Sequence, residues 1–302
     1  MVQKLEKDSF VYAMSKENKP ALKVRAGEQV VMDTYDCFEN QIQSEEETFS
    51  SIDWERINPA TGPVYVEGAQ TGDILQVRID GIELGERGVM ATGPKLGVMG
   101  HRIDEFKIKM IEIKENELVF DNRIKLSLQP MIGVIGVAPE NEAVSCGTPG
   151  AHGGNMDTKL ITTGATLYFP IFQEGGLFSL GDVHAAMGDG EVCVSGVEIS
   201  AKVTVTLDVI KGYSIDYPYI ENKAGAASLV SRESLDEAAD LAVEKMIDLL
   251  QPQTDLTLAE FTMLMSAAGE VQISQIVDPL KTARFFVPRK ILDGYGLKLF
   301  RK

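Results

Sequence analysis

Val203-Thr204-Val205-Thr206-Leu207-Asp208-Val209 places an apolar side chain at every second position. That period of two is the signature of a β-strand with one buried face and one wet face. It is the clearest part of a β stretch read over residues 192–210. Residues 29–32 and 74–79 carry short apolar and β-branched runs. Each follows a glycine turn, Ala26-Gly27-Glu28 and Thr71-Gly72-Asp73. Leu75-Gln76-Val77-Arg78-Ile79-Asp80 alternates cleanly, and residues 107–113 do so through Ile108, Met110, Ile111 and Ile113. Short strands separated by Gly and Pro turns favour a sandwich or barrel over a parallel α/β sheet.

Near residue 231 the pattern changes. Ser231-Arg232-Glu233-Ser234 opens an apolar-periodic run over 235–250, with Ala238, Leu241, Ala242, Met246 and Leu249 at helical spacing. Ser231 is read as its cap, although Glu233 then falls one position early for a capping box. Pro252 stops the run. A second helix is expected over 257–268, with Asp255 or Thr257 near its cap and Gly269 past its end. A short strand and a partly extended tail, broken by Pro279 and Pro288, complete the chain. The expected class is α+β and β-rich, with a sandwich or barrel-like core and two C-terminal helices. Residues 1–230 form the β-rich catalytic region, and residues 231–302 a helical and extended region packed on the same core.

The 302 residues are 44% hydrophobic and 25% charged, enough for a sizeable core. A net charge of −16, from 45 acidic and 29 basic residues, argues against nucleic-acid partners and against anionic membranes. A neutral substrate is unaffected by it. Cys37, Cys146 and Cys193 are odd in number and form no CxxC pair, as expected of reduced thiols in a cytoplasmic protein. Residues 1–19 are charged and lack the apolar run of a signal peptide.

Two glycine-bracketed loops carry the chemistry. They are Pro149-Gly150-Ala151-His152-Gly153-Gly154-Asn155-Met156-Asp157 and Gly181-Asp182-Val183-His184-Ala185-Ala186-Met187-Gly188-Asp189-Gly190-Glu191. They hold two of the three histidines. His152 has neighbours too small to bury it as a packed core residue. Asp182 and His184, two apart, share one face of an extended segment, so the acid either binds a metal beside the imidazole or orients it. His101 is either a surface-loop or a cleft residue. Asp157 also suits an ordinary turn, and Asp189-Gly190 reads as a hairpin turn. Glu191, just after that turn, is better placed to face a site. Asp36 ends an early strand and could join from a distance.

Mixed histidine and carboxylate donors suit zinc with an open position, and carboxylate corners suit calcium or magnesium. Such an ion polarises a carbonyl and acidifies water, the equipment for amide hydrolysis. No HExxH helix, GxSxG elbow or phosphate-binding loop is present. Cys146 as nucleophile, with His152 or Glu142 as base, is an alternative to a simply buried thiol. A non-catalytic small-molecule-binding β-protein is another.

An ordered set of motifs resembles the acetamidase/formamidase family. They are Gly133-Val134-Ile135-Gly136-Val137-Ala138-Pro139-Glu140, the segment from Gly153 to Lys159, Gly164-Ala165-Thr166-Leu167-Tyr168-Phe169-Pro170, and the segment from Gly181 to Glu191. Asp36, the run from Gly62 to Ala69, Gly72-Asp73, Ser266-Ala267-Ala268-Gly269 and Gln275-Ile276-Val277-Asp278 extend the likeness over most of the chain. The resemblance implies hydrolysis of a short aliphatic amide to a carboxylate and ammonia, a β-rich fold, a homo-oligomer of two or more chains, and zinc or calcium in some members. On that reading Asp36, His152, Asp157, Asp182 and His184 are expected to hold or support a divalent metal. Glu191 or Glu140 is expected as general base. Lys159 or a backbone amide at Gly153-Gly154 is expected to stabilise the oxyanion, with Gly153, Gly154 and Asn155 against the substrate.

Overall fold

The computed structural model of the chain describes residues 2–300. Among these, two sheets form the body of a β-sandwich-like core, and neither closes into a barrel. The larger has nine strands, ordered Gln3–Leu5, Glu28–Thr34, Ala201–Ile210, Ile74–Leu84, Thr166–Pro170, Tyr219–Asn222, Gly225–Arg232, Lys281–Pro288 and Glu270–Gln275. All its pairings are antiparallel except the first. The alternating residues that define the pattern behave as expected: Val203, Val205 and Leu207 are fully buried against the core, while Lys202, Thr204 and Thr206 are not.

The second sheet runs Gly153–Asn155, Met131–Gly136, Phe178–His184, Ala60–Glu67 and Phe10–Val11, with Leu22–Arg25 alongside Ala60–Glu67. Ile132, Ile135, Phe178, Leu180 and Val183 face Val77, Ile79, Leu167 and Val203 in one continuous apolar cluster. A smaller four-stranded sheet contains the expected strand at Lys107–Lys114.

Residues 192–200 depart from the expected strand. Val194 takes a left-handed φ of 72°, and Glu198 is tied by isolated bridges to Val89 and His184. A regular strand begins only at Ala201. An acid at 198, buried together with both its neighbours Val197 and Ile199, is incompatible with simple alternation.

Helix α1, Leu235–Leu250, is capped by Ser234, whose side chain accepts from the Glu237 amide. Ser231 lies instead on a strand, with its hydroxyl paired to Thr282. Ala238, Ala242, Met246 and Leu250 form the buried stripe of α1 against the strands Gly225–Arg232 and Lys281–Pro288. Helix α2, Leu258–Ala268, starts at a Thr257–Glu260 capping box and ends at Gly269. A third helix, α3, Arg289–Tyr295, occupies the tail expected to be extended, with Pro288 just before its first turn and Gly296 in a left-handed cap. Among the described residues no helix is long and apolar enough to cross a membrane.

The C-terminal strands reach back to the second glycine loop. Arg284, almost wholly buried, makes two hydrogen bonds to the Asp189 carboxylate at 3.0 and 2.8 Å and also binds Gln272, the Ile273 carbonyl and Ser274. Gly190 donates its amide to the Ser274 carbonyl at 2.7 Å. Removing the guanidinium in Arg284→Ala leaves buried acceptors unpaired. It is expected to lower urea-unfolding stability by about 3 kcal/mol, and a loss below about 1 kcal/mol would show that the clamp is dispensable.

Candidate active site

Gly133 is the centre of the site. It lies on the strand Met131–Gly136, between the pairs Ile132↔Val183 and Val134↔Gly181, with Val134↔Asn155 on the other flank. The register sets Asp182 beside Gly133, and Asp157 follows the short strand on its other flank. A Cβ at Gly133 would meet Asp157 Oδ1 and Asp182 Oδ2, each at 2.4 Å, so only glycine leaves room for both carboxylates. Asp157, Asp182 and Glu191 all take left-handed φ values, 41°, 53° and 47°. Such backbone costs of order 1–3 kcal/mol each and is retained where it aims a side chain.

His184 ends the strand Phe178–His184, with the bare backbone of Gly196 against its ring. Its Nε2 lies 3.3 Å from Asp182 Oδ1, 3.1 Å from Glu198 Oε2 and 4.0 Å from Asp157 Oδ1. The Glu198 oxygen, though close, lies off the direction of an aligned hydrogen bond and has no other partner. Asn155 donates to Asp278 at 3.0 Å and leaves its own Oδ1 unpaired. Both oxygens of Asp157, which is 0% exposed, also lack partners. Asp157, His184 and Glu191 can present donor atoms within 4.8 Å of one another, and so can Cys37, Asp182 and Glu198.

Five buried carboxyl groups, Asp157, Asp182, Glu191, Glu198 and Asp278, thus surround one imidazole. Burial, and then the neighbouring Asp278 and Asp182 charges, push the Asp157 carboxyl well above its ordinary range. Burial and Asp157 do the same to Glu191, and burial and Glu191 to Asp278. Glu198 is pushed by burial to about 7 despite His184. For His184, burial favours the neutral ring, but Glu198 and Asp182 outweigh it and hold the imidazolium.

Asp182, Glu191, Glu198 and Asp278 open onto a partly open cavity of about 220 Å³, and Asp157 and His184 lie behind them. Asn155, Asp182, Glu191, Glu198 and Asp278 supply polar lining, with Cys37 also in the wall. Of the residues expected from sequence, Asn155, Asp157, Asp182, His184 and Glu191 are brought together here. The others are not. Asp36 turns its Oδ1 back to the amides of Phe38 and Asn40, and Cys37 is the residue that reaches the cluster. His152 and Glu140 line a separate cavity that shares no residue with the first. Burial lowers the His152 imidazole to about 4, which suits a packed neutral ring. Lys159 pairs with Asp189 at 2.9 Å, beside the Arg284 clamp, and does not line the cavity. The Gly153 amide bonds the Gly150 carbonyl, and the left-handed pair Gly153-Gly154 serves close packing: a Cβ would meet the Ile135 or Thr148 carbonyl at 2.3 Å. Cys146 sits in a small apolar cluster with Met14, Ala60 and Val134, its thiol pushed to about 12 by burial, which disfavours the thiolate a nucleophile needs. His101 is an exposed loop residue.

Sequence reasoning passed over Glu198, Cys37 and the site role of Asp278. A signal for Glu198 existed: an acid between Val197 and Ile199 in an apolar run is a charge with no wet face available.

The acetamidase/formamidase family model matches residues 14–146 and 141–294. This chain belongs to the acetamidase/formamidase family. It superposes on a recombinant predicted acetamidase/formamidase from Thermoanaerobacter tengcongensis with TM-score 0.96 and 50% identity over 99% of both chains. An acetamidase from Bacillus halodurans superposes with TM-score 0.95 and 43% identity, over 97% of this chain and 99% of that one. The formamidase of Methylophilus methylotrophus is 38% identical over 78 residues, covering 24% of this chain and 19% of that protein, so the matched stretch spans about a fifth of the relative's length.

Two expectations follow from the buried charges. Asp157 binds its proton more tightly folded than unfolded, so wild-type stability falls as pH rises above the unfolded carboxylate value, and Asp157→Asn escapes that loss. In cation-free buffer the variant is expected to be more stable by about 1–4 kcal/mol at pH 8, with the gain shrinking towards pH 4. A less stable variant at pH 8 contradicts the reading. For His152 the sign is opposite, because its folded pKa lies below the unfolded one. Its contribution is complete above about pH 6.5 and is lost as pH falls towards 4, so urea titrations of His152→Asn against wild type should diverge by about 3 kcal/mol over that window.

Proposed function

We propose that this chain hydrolyses the C–N bond of a neutral linear amide of the acetamide or formamide type, releasing a carboxylate and ammonia, with a divalent cation held by Asp157, His184 and Glu191. One observation carries the reading: a cluster of buried, partly unpaired carboxyl oxygens beside a cavity, in a chain of this family. Two unpaired oxygens on a fully buried Asp157, amid like charges, are a poor end state for a folded protein, and a cation in their midst removes the penalty. The donors are oxygens plus one imidazole, which suits zinc and also accepts calcium. When bound, the ion supplies polarisation of a carbonyl and acidification of water.

The side chains supply the rest. The unpaired Asn155 Oδ1 accepts a hydrogen bond from the substrate NH₂ and fixes which side of the amide faces the carboxyl groups. Glu198, whose carboxyl burial pushes up to about 7, takes a proton from the attacking water as the C–O bond forms. It returns that proton to nitrogen as the C–N bond breaks and ammonia leaves. The carboxylate product meets a cavity already lined by acids, which favours its departure. Leu258, Met263, Val271 and Ile273, exposed on α2 and the edge strand Glu270–Gln275, support self-association of the chain. A single-chain mass in sedimentation would contradict that part.

Elemental analysis with an ammonia-release assay on formamide and acetamide tests the reaction. The expected result is bound divalent metal, turnover lost on chelation and restored by metal, and kcat lowered about a hundredfold or more in Glu198→Gln with metal content retained. No ammonia from any amide by metal-replete protein would overturn the assignment.

A further inference from the structure

Acids make up only part of the cavity lining. Most of the rest is apolar: Phe38, Trp54, Ile57, Ala91, Leu96 and Val194. Phe38 and Ala91 belong to a small core of their own, with Ile42, Ile52, Val89 and Ile108, against which Trp54 and Ile57 pack. This wall is fixed before any ligand arrives. Trp54 stacks on Phe49 with ring centroids 4.6 Å apart and meets Phe106 edge-on at 5.9 Å and Phe38 edge-on at 6.5 Å. Its indole N–H donates to the Phe49 carbonyl at 2.9 Å. The one polar atom of the indole is therefore already engaged by Phe49, which leaves its hydrocarbon for contact with the cavity. A rigid apolar surface of this kind binds apolar groups with little ordering cost.

Formamide and acetamide have nothing to place against it. The volume is also generous: about 220 Å³ here, where an apolar cavity of roughly 150 Å³ already admits benzene. No lysine, arginine or histidine side chain lines the cavity, whereas Asp182, Glu191, Glu198 and Asp278 do. An acyl chain ending in a carboxylate would find repulsion and no counter-charge, and one ending in hydrocarbon finds a fitted wall.

We infer that the preferred substrates are primary amides whose acyl chain is apolar and longer than acetyl, with the chain seated on Trp54, Phe38, Ile57 and Leu96; this rests on the amide-hydrolase reading above. The C(O)–NH₂ group stays among the acids, beside Asn155 and Glu198, and the bond broken is unchanged. Chain length and terminal charge are selected by the wall.

The test is kcat/KM by ammonia release from the native metal-replete protein for formamide, acetamide, butyramide, hexanamide and adipamate, the last being hexanamide's length-matched acid. The expected rise from acetamide to hexanamide is about fourfold per methylene, with adipamate at least about a hundredfold below hexanamide, the cost of burying an unpaired carboxylate. Trp54 is the only tryptophan of the chain, so its emission, followed in the first turnover after rapid mixing, should change with hexanamide at lower concentration than with acetamide. Trp54→Ala should flatten the length dependence and Trp54→Phe should restore most of it, with thermal unfolding of each confirming the fold. If acetamide is turned over but kcat/KM falls with chain length, or adipamate matches hexanamide, the inference fails and amide hydrolysis stands. If no amide releases ammonia, the underlying reading fails and takes this one with it.

Discussion

Five carboxyl groups are buried around a single imidazole, and most of the unusual features of this chain follow from that arrangement. Burial of like charges is unfavourable unless something positive is placed among them. Without a cation His184 supplies one positive charge, held by Glu198 and Asp182; as a metal ligand its ring is neutral and the ion supplies the charge instead. Lys159 and Arg284 supply none to the cluster, because both are held by Asp189. The remaining imbalance can be met by retained protons or by a cation. The upward displacement of Asp157, Glu191, Glu198 and Asp278 describes the first solution, and the proposed hydrolase depends on the second.

The fold brings these groups together through bare backbone. Gly133 allows the two flanking strands to aim Asp157 and Asp182 over it, and Gly196 seats the His184 ring. The left-handed Asp157, Asp182 and Glu191 turn their side chains out of the alternation that a regular strand would impose. Contributions come from distant parts of the chain: Cys37 after an early strand, Glu198 from an irregular segment, and Asp278 from the turn between the last two strands. The Arg284–Asp189 clamp joins the C-terminal strands to the loop that carries Glu191, so the far end of the sequence helps to set the position of the cluster.

Much of this was legible in the sequence where local physics dominates. Alternation found the strands around residues 29, 74, 107 and 203, and helical spacing found α1 and α2 with nearly correct ends. Glycine-bracketed acids and histidines pointed to Asn155, Asp157, Asp182, His184 and Glu191, which do converge. The losses have a common cause. His152 looked exposed because its neighbours are small, yet strands packed from elsewhere bury it. Lys159 looked free, yet Asp189, read as a turn residue, pairs with it. Glu198 was hidden in a stretch read as regular strand, and α3 was hidden by Pro288, which precedes its first turn without breaking it. Each depends on a partner far away in the chain, which periodicity cannot supply.

The central claim is that a cation, and not a set of retained protons, neutralises the cluster in the working protein. Anomalous-scattering difference maps from crystals of the metal-replete protein, recorded on both sides of the zinc absorption edge and compared with calcium-soaked crystals, address it directly. The account predicts a cation peak within bonding distance of donor atoms of Asp157, His184 and Glu191. A well-ordered cluster holding only water, with no cation among these residues in metal-replete and active protein, would contradict it.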